Sequence, residues 1–534
     1  LLEDYSMGEN RNVLIEDYMN GTEVRNKFKK VNMGICVTSK PNDMTLTIKG
    51  CEFDNSDFNY TPVSPDFYNT AITIQGYLRR IQNINQRLVI INDNTITNFR
   101  YGIHALNTPN LNIGSDASNN PFPNTINFNL GAAPAVVDHY KGIWLQNCPN
   151  ARITGGNDNM NPEIENDVEV TSTGMTNFRG IDIENSVGSR INCMTIKNMP
   201  QSVTFTGQCQ LNLLRNNYFD GYDHAIELYS ALLSPQYQDA GDPLDNQWMD
   251  ASANDRVVGT LTTLTLIPWY RRSSGTEYDP DPLALSGIII PTTVGASTVL
   301  CNDYTTRISR DDMFGSIIAD TLDFSENQDE LEYLTRWETF MYMQSDTSIL
   351  NLSESSDSTY QSFYSQIKTQ NPGKLSHVTE QSLIPDSILV ATLASEDITY
   401  ENDIEYNILL KNQVYLYKIA LDSNMTETDS TTLETITELN WLQAGDAIYE
   451  AAAMLGKEIH PTVTSSRLAA TNIGQVPANL VEQNSISVAP NPASQNIVID
   501  CSCEELAKVE IYDSRNALVQ IETQNLKGQL ISIN

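Results

Sequence analysis

Basic residues are scarce in this chain: 32 Lys and Arg stand against 67 Asp and Glu, a formal net charge of −35 over 534 residues. Nucleic-acid binding needs clustered Lys and Arg on phosphates, and no local basic cluster offsets the acidity, so no nucleic-acid partner is expected. Anionic membranes and polyanionic sugars are disfavoured for the same reason, and solubility outside the cell is the ordinary use of such a charge. Histidine is scarcer still. His104, His139, His224, His377 and His460 are the only five, and they show no metal-ligand spacing. The chain has no HExxH, no GxSxG, no Walker loop and no dinucleotide-binding glycine turn. No run of 18 apolar residues occurs, so no membrane-spanning helix is expected. The opening Leu1-Leu2-Glu3-Asp4 lacks the basic start and apolar run of a signal peptide, which suggests a processed form or a fragment of something longer.

Cysteine is present but not as CxxC pairs. Cys36, Cys51, Cys148, Cys193, Cys209, Cys301, Cys501 and Cys503 give no zinc or redox spacing. Some could pair in an oxidising compartment, with a connectivity that spacing does not fix. Calcium is the one cofactor left open, at Asp-rich turns such as Asp279-Pro280-Asp281, although no EF-hand pattern is present.

What the first 230 residues do contain is a degenerate repeat. A small residue followed by a β-branched one recurs at Gly34-Ile35, Ala71-Ile72, Gly102-Ile103, Gly142-Ile143, Gly180-Ile181, Ser202-Val203 and Ala225-Ile226. The spacings are 37, 31, 40, 38, 22 and 23 residues. Ten residues after four of these anchors comes another aliphatic: Ile113, Ile153, Ile191 and Leu213. Repeats that cannot bury an apolar face alone stack on one another and share a core. Asn-rich corners such as Asn92-Asp93-Asn94 and Asn216-Asn217 lie between, and Asn tolerates the left-handed conformation of tight turns. An antiparallel β-sandwich is the competing architecture. The pattern over residues 30–230 resembles the right-handed parallel β-helix repeats of many secreted bacterial proteins.

The period then changes. Residues 231–310 are rich in Pro and Asp, with β-like runs at 261–267 and 286–290 that suit irregular final turns or a cap. Leu410, Val414, Tyr417 and Leu421 make a helical stripe, and Ile448, Ala452 and Leu455 make another, with Asp446 before it and Gly456 as a C-cap. The stretch 461–484 reads as a linker. After it, Ser485–Val488, Ile497–Ile499, Val509–Asp513 and Leu518-Val519 alternate like strands of a small antiparallel domain.

That last segment resembles the type A sorting domain of the type IX secretion system of Bacteroidota. The resemblance rests on the strand leading into Pro490-Asn491-Pro492-Ala493 and on the strand ending at Tyr512-Asp513 with Leu518-Val519 downstream. It covers about a tenth of the chain and implies export across the outer membrane, with the secretion machinery as partner and a secreted or cell-surface location. The usual closing turn and strand are not evident before Asn534, so a truncated domain is expected. Residues 405–455 are similar to helical segments that precede such domains in Bacteroidota proteins, a similarity that implies no activity.

The expected fold is therefore mainly β: a right-handed parallel β-helix with irregular terminal turns (1–310), a helical segment (311–460), a linker (461–484) and a small β-sandwich-like sorting domain (485–534). Alternation along each strand places Cys36, Thr73, His104, Trp144, Asp182, Thr204 and Glu227 on an outer ladder, beside a second of Thr38, Gln75, Leu106, Gln146, Glu184, Thr206 and Tyr229. Trp144 and Tyr229 are candidate glycan-stacking residues. Asp182, Glu184, Asp223 and Glu227 are the candidate carboxylates for glycoside hydrolysis. Paired aspartates with Gly-His-Gly, or a Lys or Arg beside a cleaved bond, as in pectin-degrading enzymes and lyases, do not stand out. The expected function is structural or adhesive, on surface glycans or proteins; a polysaccharide-binding or -degrading enzyme is the first rival and a self-assembling rod the second.

Overall fold

A computed structural model describes residues 26–29, 33–39, 45–56, 69–79, 89–128, 140–156, 163–166, 178–233, 243–249, 256–260, 267–272, 276–280, 330–346, 357–421 and 423–459, with short pieces at 2–3, 12–15, 236, 289–294 and 350 and five strands between 486 and 532. The chain divides into two compact units, Leu1–Ser465 and Ser466–Asn534.

The first unit is built on three parallel sheets that the chain visits in turn. The nine-stranded sheet contains Leu2–Glu3, Met33–Ser39, Thr70–Gly76, Tyr101–Leu106, Tyr140–Gln146, Phe178–Glu184, Gln201–Cys209, His224–Leu233 and Val257–Thr260. A seven-stranded sheet runs from Asn12–Ile15 to Leu213–Arg215, and an eight-stranded one from Lys27–Lys29 to Gln247–Trp248. The repeat anchors are in register: Ile35 lies opposite Ile72, which lies opposite Ile103, and the ladder continues through Ile143, Ile181, Val203 and Ile226. These side chains belong to one buried apolar core with Ile113, Ile153 and Ile191 of the second sheet and Ile126, Ile164 and Ile196 of the third.

The ten-residue offset fails once. Leu214, not Leu213, continues the ladder from Ile191. Successive left-handed positions explain the slip: Asn107 and Asn110, Asn147 and Asn150, and Asn185 and Gly188 are three apart, whereas Gly207 and Leu211 are four apart. One extra residue in that turn advances every later position by one.

The corners also use asparagine in a second way. Asp93 and Asn216 have positive φ, but the neighbouring Asn94 and Asn217 are buried. Asn94 Nδ2 donates to Asn124 Oδ1 (2.8 Å) and to the Ile48 carbonyl, and Asn217 Nδ2 donates to Asn246 Oδ1 (2.8 Å) and to the Ile191 carbonyl. These ladders satisfy the Ile48 and Ile191 carbonyls near the ends of their strands, Thr45–Lys49 and Arg190–Asn192.

Among the described residues, eight helices follow: α1 (Glu330–Ser345), α2 (Asp357–Thr369), α3 (Asn371–Ser382), α4 (Ile388–Glu396), α5 (Asp403–Val414), α6 (Glu427–Thr437), α7 (Trp441–Ala444) and α8 (Ala447–Leu455). Asn402 caps α5 by accepting from the Glu405 amide, and Thr426 with Asp429 forms a capping box on α6. Gly456 ends α8 with φ 65°. The helices are not a separate segment after the sheets. Their apolar core includes Leu78 and Leu106 from the nine-stranded sheet and its flank. The expectation of a mainly-β chain, a β-helix followed by a helical stretch, is thus corrected: three parallel sheets with a helical layer packed on the nine-stranded one give an α/β architecture. The physical reason is that the outer face of the nine-stranded sheet is buried under protein rather than exposed to solvent.

A second correction concerns the stripe Leu410, Val414, Tyr417 and Leu421. Val414 is buried, but Tyr417 and Leu421 are exposed. Tyr415–Ile419 forms a π-turn, and its wider turn rotates the following residues off the apolar face.

In the second unit, Ile486–Ala489, Asn496–Cys501 and Gln529–Ser532 pair antiparallel, as do Val509–Tyr512 and Leu518–Glu522. Pro490, Asn491, Pro492, Ala493 and Asp513 lie outside the described residues, as do 311–329, 461–484 and most of the runs at 261–267 and 286–290.

Candidate functional site

The outer ladders of the nine-stranded sheet form as alternation predicts. Trp144 faces Asp182, Asp182 faces Thr204 and Thr204 faces Glu227; alongside, Gln146 faces Glu184, Glu184 faces Thr206 and Thr206 faces Tyr229. A third ladder, two residues before the anchors, sets Tyr101, Lys141, Arg179, Gln201 and His224 in line. The structure therefore brings Trp144, Asp182, Glu184, Glu227 and Tyr229 to one face, and it adds the cations Lys141 and Arg179.

That face is covered. Trp144 and Asp182 have no solvent exposure, and Lys141, Glu184 and Glu227 are buried too. Gln146 Nε2 donates to the Ile459 carbonyl (3.0 Å), Asn107 Nδ2 donates to the Tyr449 carbonyl (3.0 Å), and Asn185 donates to the Tyr449 hydroxyl. The α8 helix and the residues after it therefore lie over the ladders. Trp144 stacks on His104, with ring centroids 4.3 Å apart, and the Lys141 ammonium sits over the indole at 3.4 Å from its centroid. With no solvent exposure, this indole has no face left for a sugar ring. Tyr229 is half-buried, with Arg179 over its ring and its hydroxyl accepting from Gln201 Nε2 (2.8 Å).

The carboxylates are held by buried ion pairs or hydrogen bonds. Asp182 meets Lys141 Nζ at 2.7 Å and Arg179 Nη1 at 2.7 Å, and accepts from the Thr204 hydroxyl at 2.6 Å. Burial would raise its pKa, but Arg179 and Lys141 outweigh burial and hold the carboxyl well below the usual range. Glu184 accepts from Trp144 Nε1 and Gln146 Nε2, both at 2.9 Å. Glu227 accepts from Gln201 Nε2. Burial and the Glu227 carboxylate push the Tyr229 phenol up, and burial with the Glu458 carboxylate does the same to Tyr101. Asp223 is half-buried at the strand entry, and the amides of Asp223 and His224 both donate to the Pro200 carbonyl.

Sequence reasoning missed a second charged centre, where the helices meet the sheet. Arg79 makes a two-pronged pair with Glu338 (2.6 and 2.7 Å) and meets Asp446 at 2.7 Å. Its backbone amide donates to Glu450, which also pairs with Lys411. Asp446 occupies the N-cap position of α8 without capping it, because its carboxylate is turned to Arg79. No periodic signal marks Arg79 or Glu338, which are 259 residues apart in sequence. Lys141 and Arg179 stand two residues before inward-facing Ile143 and Ile181, a position that strict alternation assigns to the core, so the repeat gave no signal for them.

Among the described residues, no group of three or more His, Cys, Asp or Glu side chains converges to hold a metal ion. Asp279 pairs with Arg271, and Asp281 lies outside the described residues. Cys36, Cys51, Cys148 and Cys209 are free thiols, and burial pushes Cys148 and Cys209 up to about 12. Cys193 is disulfide-bonded. No helix among the described residues is long and apolar enough to cross a membrane. No protein-family model matches the sequence, and no curated protein or solved structure is found to be similar to it.

Proposed function

We propose that this chain is a non-catalytic structural or adhesive protein, exported through the type IX route to the cell surface or medium. The observation that carries the non-catalytic part is the covered ladder. Its carboxylates are spent on buried ion pairs and hydrogen bonds, and its tryptophan is enclosed, so the residues that could have formed a glycan-cleaving groove serve to join sheet and helices. A glycosidase needs two carboxyls flanking an accessible bond. Support for export comes from the tail, Ser485 to Asn534, with its Pro490-Asn491-Pro492-Ala493 turn, and a disulfide at Cys193 suits an oxidising compartment.

Two experiments test the reading. Removing residues 485–534 in the native host is expected to trap the protein behind the outer membrane, as followed by fractionation; normal surface display of the shortened chain would end the export reading. Incubation with neutral and acidic glycans is expected to release no reducing sugar. Release that disappears in a folded Glu227→Gln variant would replace this function with the polysaccharide-degrading one.

A further inference from the structure

The helical layer carries an apolar face that its own packing leaves open. In α4 only Ala391 and Ser395 are buried, while Leu389, Val390 and Leu393 are 70%, 53% and 55% exposed. Leu389, Leu393 and Glu396 follow one stripe of the helix, at i, i+4 and i+7. Glu396 accepts from the Tyr417 hydroxyl (2.8 Å), which ties this stripe to the exposed pair Tyr417 and Leu421, themselves one helical turn apart. Single exposed leucines are ordinary, but Leu389, Val390 and Leu393 exposed together within two turns mark an interaction surface.

The charge around the face selects its partner. Asp386, Glu396, Asp397 and Glu401 are exposed along the same stretch, and no Lys or Arg occurs between Lys374 and Lys411. Lys418 is occupied by Asp429 at 3.4 Å. A second copy would bring two acidic rims, each on a chain of net charge −35, against one another, and like charges across an interface cost several kcal/mol. An anionic bilayer is opposed for the same reason. We propose that the α4 face, centred on Leu389 and Leu393, docks a basic amphipathic helix of a partner protein, its leucines on the apolar stripe and its lysines or arginines on the flanking carboxylates. The α4 face belongs to the helical layer and is open whether or not the chain is exported.

The test uses the full chain and a fluorescein-labelled helical peptide of Leu and Lys at physiological ionic strength, read by anisotropy. Saturable binding is expected. It should weaken about tenfold in Leu389→Gln/Leu393→Gln and also in Glu396→Lys/Asp397→Lys, as expected when anchor residues of an interface are removed. A peptide of Leu and Glu should not bind. Thermal melting of each variant checks that the fold is kept, and the charge-reversal pair decides if the leucine pair fails to fold. Equal affinity in wild type and variants would show attraction to the acidic chain as a whole and overturn the proposal. So would absence of saturable binding, or a wild-type dimer in sedimentation that the leucine variant abolishes.

Discussion

Glu338, Asp446 and Glu450 share two buried cations, Arg79 and Lys411. Three carboxylates against two cations leave one negative charge uncompensated in a site with almost no water, and a retained proton is the cheapest way to remove it. Burial raises Glu450, with Lys411 opposing, and it raises Glu338 to about 7, with Arg79 opposing and Asp446 assisting. The folded pKa of Glu338 lies above the unfolded value of 4.5, so the folded state binds the proton more tightly between the two. The stability this contributes is present below 4.5 and is lost as pH rises through about 7, a change on the order of 3 kcal/mol. Asp182 works in the opposite sense. Its folded pKa is depressed, so its contribution is present above the unfolded carboxylate value and is lost as pH falls. Urea midpoints of the full chain should therefore peak in mildly acidic solution and decline on the alkaline side. Glu338→Gln mimics the protonated group and should flatten the alkaline decline while leaving the acid limb alone. Parallel alkaline limbs in wild type and variant would assign the decline to general repulsion instead.

At the scale of strands and helices, the small residue before each anchor has a packing cause. A Cβ on Gly142 would sit 2.6 Å from the Gly180 carbonyl oxygen and 3.1 Å from Ile164 Cγ2, and one on Gly102 would sit 2.5 Å from the Gly142 carbonyl oxygen. Ala71 and Ala225 show that one methyl can be fitted in some rounds. Gly142→Val should exceed that tolerance and cost about 1–3 kcal/mol through overpacking, measured as a lower urea midpoint; an unchanged midpoint would mean that the strand has room the geometry does not show. This small-then-branched pair was legible in sequence because every round repeats it in the same register. The helical cover was not, since nothing local in Trp144, Asp182 or Glu184 distinguishes an outer face wetted by solvent from one buried beneath residues 264 to 342 positions later in the chain. The π-turn at Tyr415–Ile419 and the extra residue between Gly207 and Leu211 were missed for a related reason. Each inserts a fraction of a turn that a fixed period assumes away.

At the scale of the molecule, the sheets and helices of residues 1–465 should behave as one cooperative body. Leu78 and Leu106 lie in the helical core, and Arg79 binds α1 and α8 together. Asn107, Gln146 and Asn185 each hydrogen-bond to α8 or to the residues after it. Peeling the helices away would expose Lys141, Asp182 and Glu184 along with Trp144, so neither layer has a stable folded state without the other. Trp144, Trp248 and Trp269 report on the sheets, while Trp337 and Trp441 lie on α1 and α7. Far-ultraviolet loss of helix and the tryptophan emission shift should follow one urea transition, as all-or-none unfolding requires. Arg79→Met strands three buried carboxylates beside a single remaining cation, Lys411. It should destabilise by about 3–5 kcal/mol and move both signals together. Helical signal lost first, with only part of the emission shift and the remainder in a later transition, would mean that the helical layer is an independent unit and that the buried ion pairs are not what binds it to the sheet.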